Sequence, residues 1–110
     1  MMQVIETQWS VREREIAQAA LKTAHNREIA ALIKVVREKA SQIENINDIW
    51  LLNDFLSARR FDIDGKYEDK EDKILFVLAR LTADGWLASE DLAGLEPTKL
   101  SKIAALSRVL

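Results

Sequence analysis

Between Ser10 and about Ala40 the chain contains no glycine and no proline, and alanine, glutamate, lysine, arginine and isoleucine dominate. Residues of these types propagate an α-helix without interruption. Ser10 followed by Glu13 supplies its start, a capping box in which each side chain satisfies the other residue's backbone N–H. A helix of ~30 residues is ~45 Å long at ~1.5 Å per residue. A compact chain of this length has a radius of gyration of only ~13 Å, so the helix overshoots any globule its own chain can build. Its faces sharpen the constraint. Ile29, Leu32, Ile33, Val36, Ala40 and Ile43 form one stripe at i, i+3, i+4, i+7 spacing. Ala17, Ala20, Ala24, Ala31 and Val35 line a second face roughly opposite, and small residues let another backbone approach closely. An overshooting helix with two apolar faces requires a second chain, and we expect a homodimer built as a two-fold arrangement of long helices.

The next helical stretch, residues 47–67, reads NDIWLLNDFLSARRFDIDGKY. At ~100° per residue, Ile49, Leu52, Leu56, Ile63 and Tyr67 share a narrow stripe expected to be core. The adjoining arc carries Trp50, Asn53, Asp54, Ser57, Arg60, Phe61 and Asp64. Aromatics interleaved with an acid, an amide and an arginine have the composition of an interface hot spot. The alternative is that Trp50 and Phe61 finish the core, with Asp54 and Arg60 pairing at its edge. Spacing alone leaves both open.

The two helices are separated by a polar connection over residues 44–47, with Asn45 or Asn47 as N-cap, and Gly65 lies near the end of the second. The acidic run Glu68, Asp69, Glu71 and Asp72 is expected to open a third helix, because acids in a first turn face the positive end of the helix dipole. That helix carries residues 74–81, apolar almost all round, and should be the most buried element. A buried strand competes for ILFVL; the ~3.6-residue period of Ile74, Val77, Leu78 and Leu81 and a glycine cap at Gly85 favour helix. Ser89 starts a short helical turn through Leu92, ended by Gly94. Pro97 then suits the first turn of a last helix running through Lys102 and Leu106. With one proline, three glycines and 48% hydrophobic residues, the chain is expected to be a single all-α domain. Long antiparallel helices over about residues 10–65 would form an extended stalk and dimer region, and residues 66–110 a small helical head.

Much chemistry is excluded. The net charge of −2 comes without a basic block, so nucleic acid is not an expected partner. Absence of cysteine removes disulfides, thiolate chemistry and cysteine-type zinc sites. The N-terminus MMQVIETQWS lacks the basic and apolar regions of a secretion signal. No segment approaches the ~20 apolar residues of a membrane span, and a soluble protein is expected. The only histidine, His25, falls on the large apolar stripe of the first helix and is expected to be packed or hydrogen-bonded rather than catalytic. The serines have no base beside them, and no glycine-rich phosphate loop exists. Asp62, Asp64, Gly65 and Glu71 match the third, fifth, sixth and twelfth positions of an EF-hand loop, but Arg60 stands at the first, where calcium needs a carboxylate. No metal or cofactor is expected.

The run SQIENINDIWLLNDFLSARRFDIDGKYED, residues 41–69, closely resembles the cyanobacterial fluorescence recovery protein family. The resemblance extends through Trp9-Ser10 before the long helix, the FVLARL run from Phe76, Gly85, and Lys102-Ile103 in the last helix. It implies a helical homodimer that is not an enzyme and carries no cofactor of its own. Such a protein binds the C-terminal domain of the photoactivated orange carotenoid protein and accelerates its red-to-orange reversion. It also aids the photoreceptor's detachment from phycobilisomes, restoring antenna fluorescence and ending non-photochemical quenching. The resemblance places the main patch on Trp50, Asp54 and Arg60, with Asn53 and Phe61 beside them on the same arc, and a secondary region at Phe76 and Lys102 of the head. Asn53 departs from the histidine frequent in the family: it keeps hydrogen bonding but cannot titrate. A cytoplasmic location follows, with peripheral association at the thylakoid surface as an extension of it. A generic dimeric helical adaptor for another bacterial regulator is the alternative function.

Overall fold

The computed structural model describes residues 8–110, so the first seven residues of the N-terminal stretch considered for a secretion signal lie outside the described residues. Helix α1 spans Val11–Ser41, α2 Ile46–Lys66, α3 Ile74–Ala83 and α4 Pro97–Ser107, with one 3₁₀ turn, Ser89–Leu92, before α4. There is no strand among the described residues. The molecule measures 64 × 29 × 24 Å with a radius of gyration of 17.4 Å, well above the ~13 Å of a compact chain of this length.

Local chemistry explains the boundaries. The Ser10 N–H donates to Glu13 Oε1 at 3.2 Å and the Glu13 N–H to Ser10 Oγ at 3.0 Å. Asn45, rather than Asn47, opens α2, in a second capping box closed by Asp48. Gly85, at φ 85°, ends α3 in a Schellman arrangement. There the Trp86 N–H donates to the Leu81 carbonyl at 2.9 Å and the Gly85 N–H to that of Thr82 at 3.1 Å. Pro97 occupies the first turn of α4. The acidic run does not open α3, contrary to the dipole argument. The helix begins at Ile74 with no acid in its first turn; a turn closed by the Lys73 and Ile74 N–H groups on the Lys70 carbonyl precedes it. Its onset follows the apolar residues that the core can cover.

The hydrophobic core sits at one end. The N-terminal half of α1 lies against α3, the 3₁₀ turn and α4, burying Ala17, Ala20 and Ala24 beneath Leu78, Leu81, Leu92, Leu95 and Ile103. Ion pairs clamp this head. Lys99 Nζ donates to Glu13 Oε1 at 2.9 Å inside it, and the Glu96 N–H donates to Glu13 Oε2 at 3.0 Å. Arg27 grips Asp91 through both terminal nitrogens, at 2.8 and 3.2 Å, and holds its carboxyl below the usual range.

Beyond Glu28, α1 leaves the head and pairs antiparallel with α2, the Lys39 ammonium lying 4.7 Å from the Phe55 ring centre. Two sequence expectations are met only in part here. The stripe Ile49, Leu52, Leu56, Ile63 and Tyr67 is core only at its lower end: Ile63 is buried and Tyr67 packs against the core, while Ile49 and Leu56 are exposed. A helix with a single neighbour has only one side covered. His25 is packed as expected, edge-on to the Tyr67 ring with 5.0 Å between centroids, but on an exposed face, because α1 turns its alanine face inward instead.

Candidate partner-binding site

Because Arg59, Ile63 and Lys66 face α1, a ~100° step per residue puts Trp50, Asp54, Ser57 and Phe61 on the opposite, outer side of α2. Trp50 is 58% exposed and Phe61 86% exposed, so neither finishes a core within the chain. Asn53, Asp54 and Arg60 are exposed with them. Arg60 pairs not with Asp54 but with Asp64, at 3.6 Å on the helix surface. An exposed i,i+4 pair contributes only about 0.3–0.5 kcal/mol, so the guanidinium exchanges readily onto a partner's carboxylate. Asp54 makes no ion pair with any described residue, which leaves its carboxylate available. The arc from Trp50 to Phe61 runs along about 16 Å of helix.

The head contributes a second aromatic. Phe76 of α3 is about half exposed and, together with Phe61, lines a cleft of roughly 720 Å³ between the end of α2 and α3. Lys66, Lys73 and Arg80 face Asp62, Glu68 and Asp72 around its rim, giving mixed charge about an apolar floor. The structure thus brings Phe61 and Phe76 together. Trp50, Asn53 and Asp54 lie further along α2, and Lys102 is exposed on α4; none of them lines this cleft.

A group that sequence reasoning missed lies beneath the arc. Glu28 of α1 is 1% exposed. It accepts from Arg59 Nη2 at 3.0 Å, from Lys66 Nζ at 2.8 Å and from the Tyr67 hydroxyl at 2.6 Å. Burial, the bond to Glu28 and that carboxylate's charge push the Tyr67 hydroxyl well up, so it stays protonated. Lys66 also approaches Asp62 at 3.5 Å and Asp84 at 3.9 Å. The one available signal was position: Glu28 continues the inward line of Ala17, Ala20 and Ala24.

The EF-hand alternative fails on geometry. Asp62, Asp64 and Gly65 lie inside α2, not in a loop. Asp62 is taken by Arg59 and Lys66, Asp64 by Arg60, and Glu71 by Arg14 at 2.9 Å. Among the described residues no carboxylate or histidine cluster is arranged for a metal ion.

Comparison with known proteins agrees with this architecture. The family described as photoprotection regulator fluorescence recovery protein matches residues 9–107. The fluorescence recovery protein of Synechocystis sp. is 45% identical over 109 residues, which cover 99% of this chain and 100% of that protein. The solved structure of the Fremyella diplosiphon fluorescence recovery protein is similar with a TM-score of 0.87 at 50% identity, covering 92% of this chain and 99% of that one. The solved structure of the fluorescence recovery protein from Synechocystis sp. PCC 6803 has a TM-score of 0.88 at 46% identity, with the same coverage.

Proposed function

Since this chain belongs to the photoprotection regulators of the fluorescence recovery protein family, we propose that the outer side of α2 binds the C-terminal domain of the photoactivated orange carotenoid protein. Binding speeds the photoreceptor's red-to-orange reversion and its detachment from phycobilisomes, which restores antenna fluorescence and ends non-photochemical quenching. The observation that carries this is the solvent-facing arc of Trp50, Asp54, Arg60 and Phe61. Exposed aromatics among free or weakly paired charges are the usual make-up of binding hot spots. Trp50 and Phe61 supply apolar contact, while Asp54 and Arg60 orient the partner; Asn53 adds a neutral hydrogen-bonding group. Phe76 and Lys102 offer a second contact on the head.

Acceleration without bond making requires the protein to hold the barrier state between red and orange more tightly than it holds the red state. The working unit in this proposal is a homodimer. Ile33, Ile46, Ile49 and Leu56 are exposed large apolar residues of the α1–α2 hairpin, and in this proposal they form the apolar surface that a second copy covers. The arc borders that surface, so docking competes with dimerisation. The setting is the cytoplasm, at the thylakoid face where phycobilisomes lie; no helix among the described residues is long and apolar enough to cross a membrane.

The test is to mix the protein with photoactivated orange carotenoid protein in the dark and follow the red-to-orange absorbance change. Substoichiometric protein should speed recovery, and Asp54→Ala or Arg60→Ala should abolish the effect. Recovery at the unassisted rate with the native chain would overturn the proposal.

A further inference from the structure

Glu28 stands where the cover on α1 changes from the head to α2. Its three donors all come from the end of α2 and its cap: Arg59, Lys66 and Tyr67. Ile63 is the only buried residue of α2, so beside it and the Tyr67 ring packed against the core, the lower end of this helix is held by three hydrogen bonds to one carboxylate. Lys66 extends the hold to α3, its Nζ lying 3.9 Å from Asp84 at that helix's C-cap. One chain of charges, Glu28 to Lys66 to Asp84, therefore joins α1, α2 and α3. Arg60 and Phe61 follow Arg59 directly in sequence, and Lys66 itself lines the cleft between Phe61 and Phe76.

Building on the function proposed above, we infer that Glu28 is a positioning residue. It sets the angle between α2 and the head, and with it the spacing of Arg60 and Phe61 from Phe76. Glu28 is buried, so it touches no partner and acts through the residues it holds. Without its charge, Arg59 and Lys66 lose the carboxylate that draws them onto α1 and keep only the longer contacts to Asp62 and Asp84, at 3.5–3.9 Å. Removing one member of a buried charge cluster loosens what it held. The arc along α2 would still dock. A loosened joint, however, must be re-ordered each time the photoreceptor passes its barrier, and misplacement of positioning groups costs rate more than affinity. Glu28 thus bears on acceleration at saturation rather than on the affinity of first contact.

The absence of cysteine makes the angle measurable. Spin labels at Ala58→Cys on α2 and Ala104→Cys on α4, both exposed positions, report the distance between stalk and head when labelled chains are diluted with unlabelled ones. The native protein should give one narrow distance distribution and Glu28→Gln a broad one. In the recovery assay, Glu28→Gln should lower the maximal acceleration by roughly tenfold or more while its Kd for the red photoreceptor stays nearly unchanged. Arg59→Met, which keeps the apolar stem at a position outside the cleft lining, should reproduce both effects if Glu28→Gln folds poorly. A narrow distribution with undiminished acceleration would overturn the inference, as would equal losses of affinity and rate. If the native chain fails to speed recovery, the proposed function falls, while the label distances still decide whether Glu28 sets the angle.

Discussion

At the scale of single residues, the molecule separates charges that hold from charges that wait. Glu13 belongs to the first kind. Burial pushes its carboxyl up, but the Glu96 N–H, the Lys99 ammonium and the Ser10 N–H outweigh that and hold its pKa at about 2, against an ordinary 4.5. A carboxyl held below its unfolded value stabilises the fold fully above about 4.5, and that contribution disappears as the pH falls from there through about 2. Glu13→Gln should accordingly destabilise the head by about 3 kcal/mol at neutral pH, because buried Lys99 loses its closest carboxylate and keeps only Glu96, at 3.7 Å. The gap in melting temperature from the native protein should close progressively between pH 4.5 and 2, where native Glu13 also becomes neutral. Trp50 belongs to the surface that waits. Trp50→Ala should weaken photoreceptor binding by about 2 kcal/mol, seen as a roughly thirtyfold rise in Kd, with the helical circular dichroism signal unchanged. A lower melting temperature with unaltered binding would make Trp50 structural instead.

At the scale of elements, glycines with the same freedom have opposite roles. Gly94 has φ 103°, and a Cβ there would meet Ile16 Cδ1 at 2.6 Å. Gly94→Ala therefore combines backbone strain with overlap, and should lower stability by about 1–3 kcal/mol in thermal or denaturant unfolding. Gly65 lies in the last turn of α2 with nothing within 4 Å of an added Cβ. Gly65→Ala should raise stability by about 0.5–1 kcal/mol by limiting the unfolded chain. The helix ends were legible in sequence because capping is local: Ser10 with Glu13, Gly85 and Pro97 each act within a few residues. The start of α3 was not, because a dipole preference of a few tenths of a kcal/mol yields to whichever residues the core can bury. Periodicity grouped the arc of α2 but left open whether it faced core or solvent; the exposure of Trp50 and Phe61 decides it. Glu28 was not, since an acid in mid-helix looks like surface until cations 31 and 38 residues further along close over it.

At the scale of the whole molecule, periodicity reports which faces are apolar but not which chain covers them. That is why Ile49 and Leu56 read as core in sequence and stand exposed in one chain. The proposed dimer predicts a solution mass of two 12.5 kDa chains, and Ile33→Glu, which places a charge on that exposed face, should shift it to one chain in analytical ultracentrifugation. The head has a different temporal character. Its buried clamp joins Glu13 to Lys99, 86 residues apart, so α1 and α4 complete one core. Synthesis adds roughly 5–20 residues per second, and α1 leaves the ribosome long before α4 exists. For several seconds the nascent α1 must carry its alanine face and Glu13 bare, with nothing yet made that can cover them. The head's birth waits for α4, and a ribosome stalled before residue 99 holds a chain whose Glu13 has no buried cation to close on.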